Sequence, residues 1–198
     1  MRIILDVMSG DNAPFETIKG AALAAQSFKA DITVVGNEGV IRRICSENGW
    51  DTALFGIVHA DSVITMEDQP LCVVREKSDS SMSVGLKMLA EGKADAFISA
   101  GNTGALHAGS TLLVRRIKGV KRSAIATLLP FQDPLLLIDS GANTEVTKEQ
   151  LEQFAVMGSI YMSNILGVSN PRVGLANIGT ESTKGPKNLV EAYEYLSA

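Results

Sequence analysis

Short apolar runs rich in β-branched residues alternate along this chain with longer segments of helical period. That alternation restricts the fold most, because it is the pattern of strands joined by crossover helices in a parallel sheet. Strands are predicted near Arg2–Val7, Ile32–Gly36, Gly56–Ala60, Ala94–Ala100, Ile125–Pro130, Leu135–Asp139 and Val173–Asn177. Pro14, after Asp11 and Asn12, suits a first helical turn, where its missing N–H would be unpaired anyway, and Glu16 then complements the helix dipole. Between Thr147 and Leu166 the residues Leu151, Phe154, Met157, Tyr161 and Ile165 recur at three- and four-residue spacing and predict one buried helical stripe. Asn170-Pro171 ends that pattern. With 198 residues, 45% of them hydrophobic and 20% charged, the chain is expected to form a single α/β domain over residues 1–198.

Charge and cysteine usage remove several function classes. Eighteen Lys and Arg against 22 Asp and Glu give a net charge of −4, which disfavours nucleic acid as a partner. Cys45 and Cys72 lie far apart, without CxxC spacing or histidine-rich surroundings, so neither a disulfide framework nor a zinc site is expected. Both read as buried, reduced thiols in helical runs. The opening Met-Arg-Ile-Ile-Leu-Asp fails as a signal peptide, and no apolar run is long enough to span a bilayer.

Ligands of an open parallel sheet bind beyond the carboxyl ends of its strands. Four strand-end loops are rich in Gly, Asn, Ser and Thr. The first, Asp6 to Pro14, offers the carboxylates Asp6 and Asp11 beside Gly10, with a helix cap by Asp11 or Asn12 as the alternative. The second, Ser99-Ala100-Gly101-Asn102-Thr103-Gly104, follows a strand and opens a helix, so its amides and the helix dipole favour an anion such as phosphate. It is neither a P-loop nor a G-x-G-x-x-G fingerprint, and a plain connection capped by Asn102 or Thr103 stays open. The third, Asp139 to Thr144, contains Asp139 and Asn143; a buried Asp139 needs partners, which favours a role in organising the loop. The fourth, Asn177 to Pro186, carries Asn177 and Lys184, whose ammonium can serve phosphate or a developing oxyanion unless it is a solvated surface lysine. Ser80 and Ser81 open another helix and are secondary phosphate candidates, a helix cap being the alternative. His59 reads as a hydrogen-bonded strand-end residue, and His107 lies one turn past the glycine loop.

Together these loops resemble the phosphate acyltransferase family of bacterial phospholipid synthesis. The likeness runs through Leu5 to Pro14, Arg75 to Met82, Ala94 to Ala105, Ile125 to Pro130 and Asn177 to Gly185, in the family's order. It implies a three-layer α/β/α sandwich with a mainly parallel sheet, like that of phosphotransacetylases and isocitrate-type dehydrogenases. It also implies transfer of a fatty acyl group from acyl carrier protein to inorganic phosphate, in a cytoplasmic homodimer. Contact with the inner membrane face or with a downstream acyltransferase belongs to the same expectation. Lys184 and Asn102 are expected in catalysis; Asp6, Gly10, Asp11, Ser80, Ser81, Ser99, Gly101, Thr103, Gly104, Asp139, Asn143 and Asn177 are expected to bind phosphate or substrate. Attack of phosphate on a thioester needs neither metal nor cofactor, and thiolate leaves without a strong general acid, so Asp6 and Asp139 are not expected to form an acid–base pair. Ser9 stands where the family usually has a second glycine, and His107 where an apolar residue is common. Family members are longer, so the chain is expected to be the N-terminal part of a longer one. The competing readings are a phosphotransacetylase using coenzyme A thioesters and a non-catalytic fragment that binds acyl carrier protein. A nicotinamide-dependent dehydrogenase is disfavoured by the missing dinucleotide fingerprint.

Overall fold

The structure, a computed structural model, describes residues 1–28, 30–179, 181 and 184–197. The chain divides into two compact units, Met1–Arg115 and Arg116–Ala198. In the first, β1 (Arg2–Asp6), α1 (Phe15–Ser27), β2 (Asp31–Gly36), α2 (Glu38–Asn48), β3 (Gly56–His59), α3 (Ser81–Ala90), β4 (Ala96–Ile98) and α4 (Thr103–Gly109) follow one another. Their four strands form one sheet in the order β3-β2-β1-β4, with every pairing parallel. Ile4, Val34 and Val35 are almost fully enclosed, and because the neighbours Val34 and Val35 point to opposite faces, both faces of the sheet are covered. Fully burying each of them contributes about 1.5–3 kcal/mol relative to exposure.

Successive connections carry the chain from β1 to β2 to β3 in one direction, and β4 then returns to the opposite side of β1. The strand order therefore reverses between β1 and β4. That is the switch point at which open α/β sheets form their ligand crevice.

Helix α1 opens after Pro14, with Glu16 in its first turn. Helix α2 is capped by Asn37, whose side chain accepts from Val40 N, and ends at left-handed Gly49. Cys45 lies buried on α2 and Cys72 in the 3₁₀ turn Pro70–Val74; desolvation raises the pKa of both thiols and keeps them unreactive. Helix α3 packs so closely on β4 that a Cβ on Gly85 would come within 2.3 Å of the Phe97 ring.

In the second unit, β5 (Ala126–Leu129) and β6 (Leu135–Ile138) pair antiparallel, followed by α5 (Lys148–Leu166) and α6 (Lys187–Ser197). The link from Pro130 to Pro134 is long enough for a hairpin but not for a parallel return, so this pair is an antiparallel exception beside the parallel sheet of the first unit. Helix α5 begins with a Thr147/Gln150 capping box. The expected stripe holds only in part: Phe154 is buried, whereas Tyr161 is 41% and Ile165 65% exposed. Gly158 meets Leu136 and Ile138 of the hairpin, and the helix then runs on past this narrow two-stranded sheet. Residues 173–177 form no strand, since no described neighbour offers them a ladder. Among the described residues, no helix is long and apolar enough to cross a membrane.

Ser83 of α3 is buried and its hydroxyl has no hydrogen-bond partner among the described residues. Ser83→Ala should therefore raise unfolding stability by about 1 kcal/mol, by removing an unpaired buried hydroxyl. Two positions on, Gly85→Ala should lower it by about 1–3 kcal/mol, because the Phe97 clash outweighs the gain in helix propensity. Chemical denaturation of both variants checks the opposite signs; two changes of the same sign would contradict this packing of α3 on β4.

Candidate functional site

The switch point is built around Asp6, the last residue of β1, which is fully buried. An enclosed carboxylate needs hydrogen-bond donors. One oxygen accepts from Met8 N at 3.1 Å and the other from Ser99 Oγ at 2.9 Å. The Ser99 hydroxyl in turn accepts from Gly101 N at 3.2 Å. A chain of bonds thus joins the end of β1 to the loop after β4. The two loops touch so closely that a Cβ on Gly101 would lie 2.6 Å from Ser9 Cβ, which explains a glycine there. Gly10 has φ +121° and faces Ala100, so it serves the same contact.

Asn102 performs two tasks. Its Oδ1 accepts from Ala105 N at 3.0 Å and caps α4. Its amide donates to Thr65 O (3.1 Å), Met66 O (3.3 Å) and Asp68 O (3.0 Å). The side chain expected to donate to substrate therefore spends its hydrogens on holding the 65–68 loop. By contrast, Thr103 and Gly104 supply first-turn N–H groups that have no intrahelical acceptor. Thr103 is exposed. These amides, rather than the Asn102 side chain, are the donors left at the mouth.

The 65–68 loop is itself tied down by an ion pair that the sequence did not single out. Lys77 Nζ lies 2.6 Å from Asp68 Oδ2 and donates to Val63 O at 2.8 Å, while Asp68 also accepts from Thr65 N and Oγ1. Lys77 stands inside the Arg75–Met82 motif, but Asp68 carries no local signal, so only the fold reveals the pair. Met66 is presented over a groove of about 390 Å³ bordered by Gly10, Asp11, Asn12, Thr17 and Ala100. Asp11 and Glu16, which also lines it, make this groove acidic.

Ser80 caps α3 through Ser83 N at 3.3 Å and is buried. Ser81 is buried too, with its hydroxyl unpartnered among the described residues, as is that of Ser9. His59 accepts from Glu38 N and approaches Asp61 at 3.1 Å, as expected of a strand-end residue. His107 lies on α4.

The remaining expected residues belong to the second unit. Asp139 accepts from Ile125 N (2.9 Å), Gly141 N (3.3 Å), Ala142 N (3.0 Å), Asn143 N (2.8 Å) and Asn143 Nδ2 (2.7 Å). Burial alone would raise its pKa, but the donors from Ile125, Ala142 and Asn143 outweigh it and hold the carboxyl below its usual range. Asn143 also donates to Ser123 O, so both residues organise the loop after β6. Asn177 Nδ2 donates to Lys184 O at 3.1 Å, and both residues border a cavity of about 210 Å³ with Leu175, Glu181 and Tyr193. Among the described residues no ion pair involves Lys184. Thr180, Ser182 and Thr183 of the same motif lie outside the described residues.

The Lys77 ammonium, followed by the Thr65 amide, lowers the Asp68 pKa from 3.8 to about 2. A depressed folded-state pKa gives stability that is present above the unfolded value and lost as pH falls through the folded one. Asp68→Asn should therefore flatten the decline in denaturation midpoint between about pH 4 and pH 2. Superimposable acid limbs in parent and variant would contradict the pair.

The phosphate acyltransferase of Dictyoglomus turgidum is 44% identical over 198 residues, covering 99% of this chain and 59% of the relative. That of Acetivibrio thermocellus is 46% identical over 201 residues, covering 100% of this chain and 59% of the relative. The chain thus spans about three fifths of the length of these curated relatives. Among solved structures, the EutD phosphotransacetylase from Staphylococcus aureus aligns with TM-score 0.65 at 18% identity, over 100% of this chain and 63% of that one. A phosphotransacetylase from Streptococcus pyogenes aligns with TM-score 0.69 at 15% identity, over 99% and 65%. At such identities the likeness establishes the mainly parallel α/β fold and nothing finer. The profile of the family described as fatty acid synthesis protein matches residues 1–198, so the chain belongs to that family.

Proposed function

We propose that the whole protein transfers a fatty acyl group from a carrier-protein thioester to inorganic phosphate, releasing acyl phosphate for phospholipid synthesis. The observation that carries this reading is the 44–46% identity to relatives named phosphate acyltransferase over 99–100% of this chain. The switch-point geometry supports it chemically. Phosphate binds at the Thr103 and Gly104 amides, supported by the Gly101 loop that Asp6 and Ser99 hold in place. A phosphate oxygen attacks the thioester carbonyl, the C–S bond breaks, and the thiolate leaves with the electron pair. Gly10 and Asp11 border the groove for the thioester arm. In this proposal Asn102 positions the loop rather than touching substrate, Ser80 and Ser81 shape the start of α3, and Asp139 and Asn143 keep the loop after β6 in shape. Lys184 of the second unit, its backbone braced by Asn177, is proposed as a catalytic cation of the kind that offsets charge on an oxyanion. The same proposal has the protein work as a cytoplasmic homodimer at the inner membrane face, where a downstream acyltransferase takes the product.

The likeness in fold to phosphotransacetylases favours a second reading, a coenzyme A thioester as the acyl donor. Assaying the whole protein with both donors separates the two: phosphate-dependent thiol release should be faster with the carrier-protein thioester. A clear preference for the coenzyme A thioester would replace the first reading by the second.

Lys184→Met keeps the aliphatic stem and removes the charge. Its thermal denaturation should match the parent's, while phosphate-dependent thioester cleavage should fall by about two orders of magnitude, the usual effect of losing one preorganised oxyanion donor. Unchanged turnover at all phosphate concentrations would return Lys184 to the role of a solvated surface lysine.

A further inference from the structure

Although the chain carries a net charge of −4, its positive charge is locally dense between Arg116 and Arg122, where Lys118 and Lys121 also fall. All four side chains belong to exposed residues, and among the described residues none enters an ion pair. An acidic neighbour does act on Lys121: Glu149 of α5, whose pKa is lowered first by the Thr147 hydroxyl and least by Lys121. The segment is nevertheless a built feature of the second unit. Val120 N donates to Ile117 O at 3.0 Å, Gly119 turns the chain with φ +95°, and Arg116 Nη1 donates to Lys121 O. Gln153 of α5 grips the turn from beneath, accepting from Lys121 N and donating to Gly119 O, each at 2.9 Å. Ile117, 80% exposed, projects among the cations.

A hydrogen-bonded turn that displays four exposed cations around one apolar side chain, on an otherwise acidic protein, is complementary to an acidic protein surface. We propose that the Arg116–Arg122 turn is the docking surface for the acidic carrier protein that brings the thioester, with Ile117 as its apolar contact. The proposal rests on the acyl transfer reading above. A fixed turn loses little conformational freedom on binding, and exposed charges act mainly by steering encounter, so the effect should be strong at low salt and fade as salt screens it.

The test uses the whole protein with the charge reversals Lys118→Glu and Arg122→Glu combined, and the neutral pair Lys118→Gln with Arg122→Gln as the milder variant. Two readouts are needed. Fluorescence anisotropy measures binding of a labelled acidic carrier protein without phosphate, and steady-state kinetics compares the carrier-protein thioester with an uncharged acyl-pantetheine of the same chain length. Reversal should weaken carrier binding and raise its KM roughly tenfold at low salt, with a smaller effect for the neutral pair. Turnover number, rates with acyl-pantetheine and thermal denaturation should stay at parental values. Equal losses with both thioesters, or unchanged carrier binding, would overturn the proposal. So would loss of binding to anionic phospholipid vesicles with carrier binding intact, which would assign the turn to the membrane. If the parent binds carrier protein through the turn yet forms no acyl phosphate, the docking surface stands and the acyl transfer reading fails.

Discussion

The arrangement of the first unit depends on one buried carboxylate. Asp6 closes the strand that lies beside both β2 and β4, and it is enclosed by protein. A buried polar group in that position is tolerable only if hydrogen-bond partners reach it. The donors come from its own loop, through Met8 N, and from the loop after β4, through the Ser99 hydroxyl. The need to satisfy this carboxylate therefore fixes the separation of two loops that begin 93 residues apart. Gly101 then receives its orientation from Ser99, and α4 starts where the amides of Thr103 and Gly104 remain available.

Asn102 extends that order outward. A cap residue normally satisfies one orphan amide of its helix, and Asn102 does so while its other end holds three carbonyls of the 65–68 loop. The Lys77–Asp68 pair fastens the same loop from its far side. Several polar side chains that look like substrate ligands are thus used to assemble the mouth of the site. The first-turn amides of Thr103 and Gly104 are left without an intrahelical acceptor.

The parallel sheet was legible because its strands are short, β-branched and separated by helical segments with clear starts; the structure trims them by a residue or two at most ends. The loops after β1 and β4 were legible for the same reason, since strand ends in such a sheet mark the ligand edge, whereas the loop from Asn177 follows no strand. What local sequence does not carry is pairing at a distance. Nothing near Asp68 announces Lys77, and nothing near Asn102 announces the carbonyls of Thr65, Met66 and Asp68. The stripe on α5 failed beyond Gly158 because periodicity reports which side chains share a face, whereas burial depends on what lies opposite. The run from Val173 to Asn177 failed likewise, a strand being defined by its neighbour as much as by its residues.

The proposed function makes the switch point between β1 and β4 an anion seat of backbone donors. Amide NMR of the uniformly ¹⁵N-labelled protein, titrated with inorganic phosphate at constant ionic strength, tests it most directly. The Thr103 and Gly104 resonances should move together and saturate, with smaller shifts at Ser99 and Gly101 through the Asp6-linked chain of hydrogen bonds. Shifts confined to the loop from Gly141 to Asn143, or none at Thr103 and Gly104 while phosphate binds elsewhere, would contradict it.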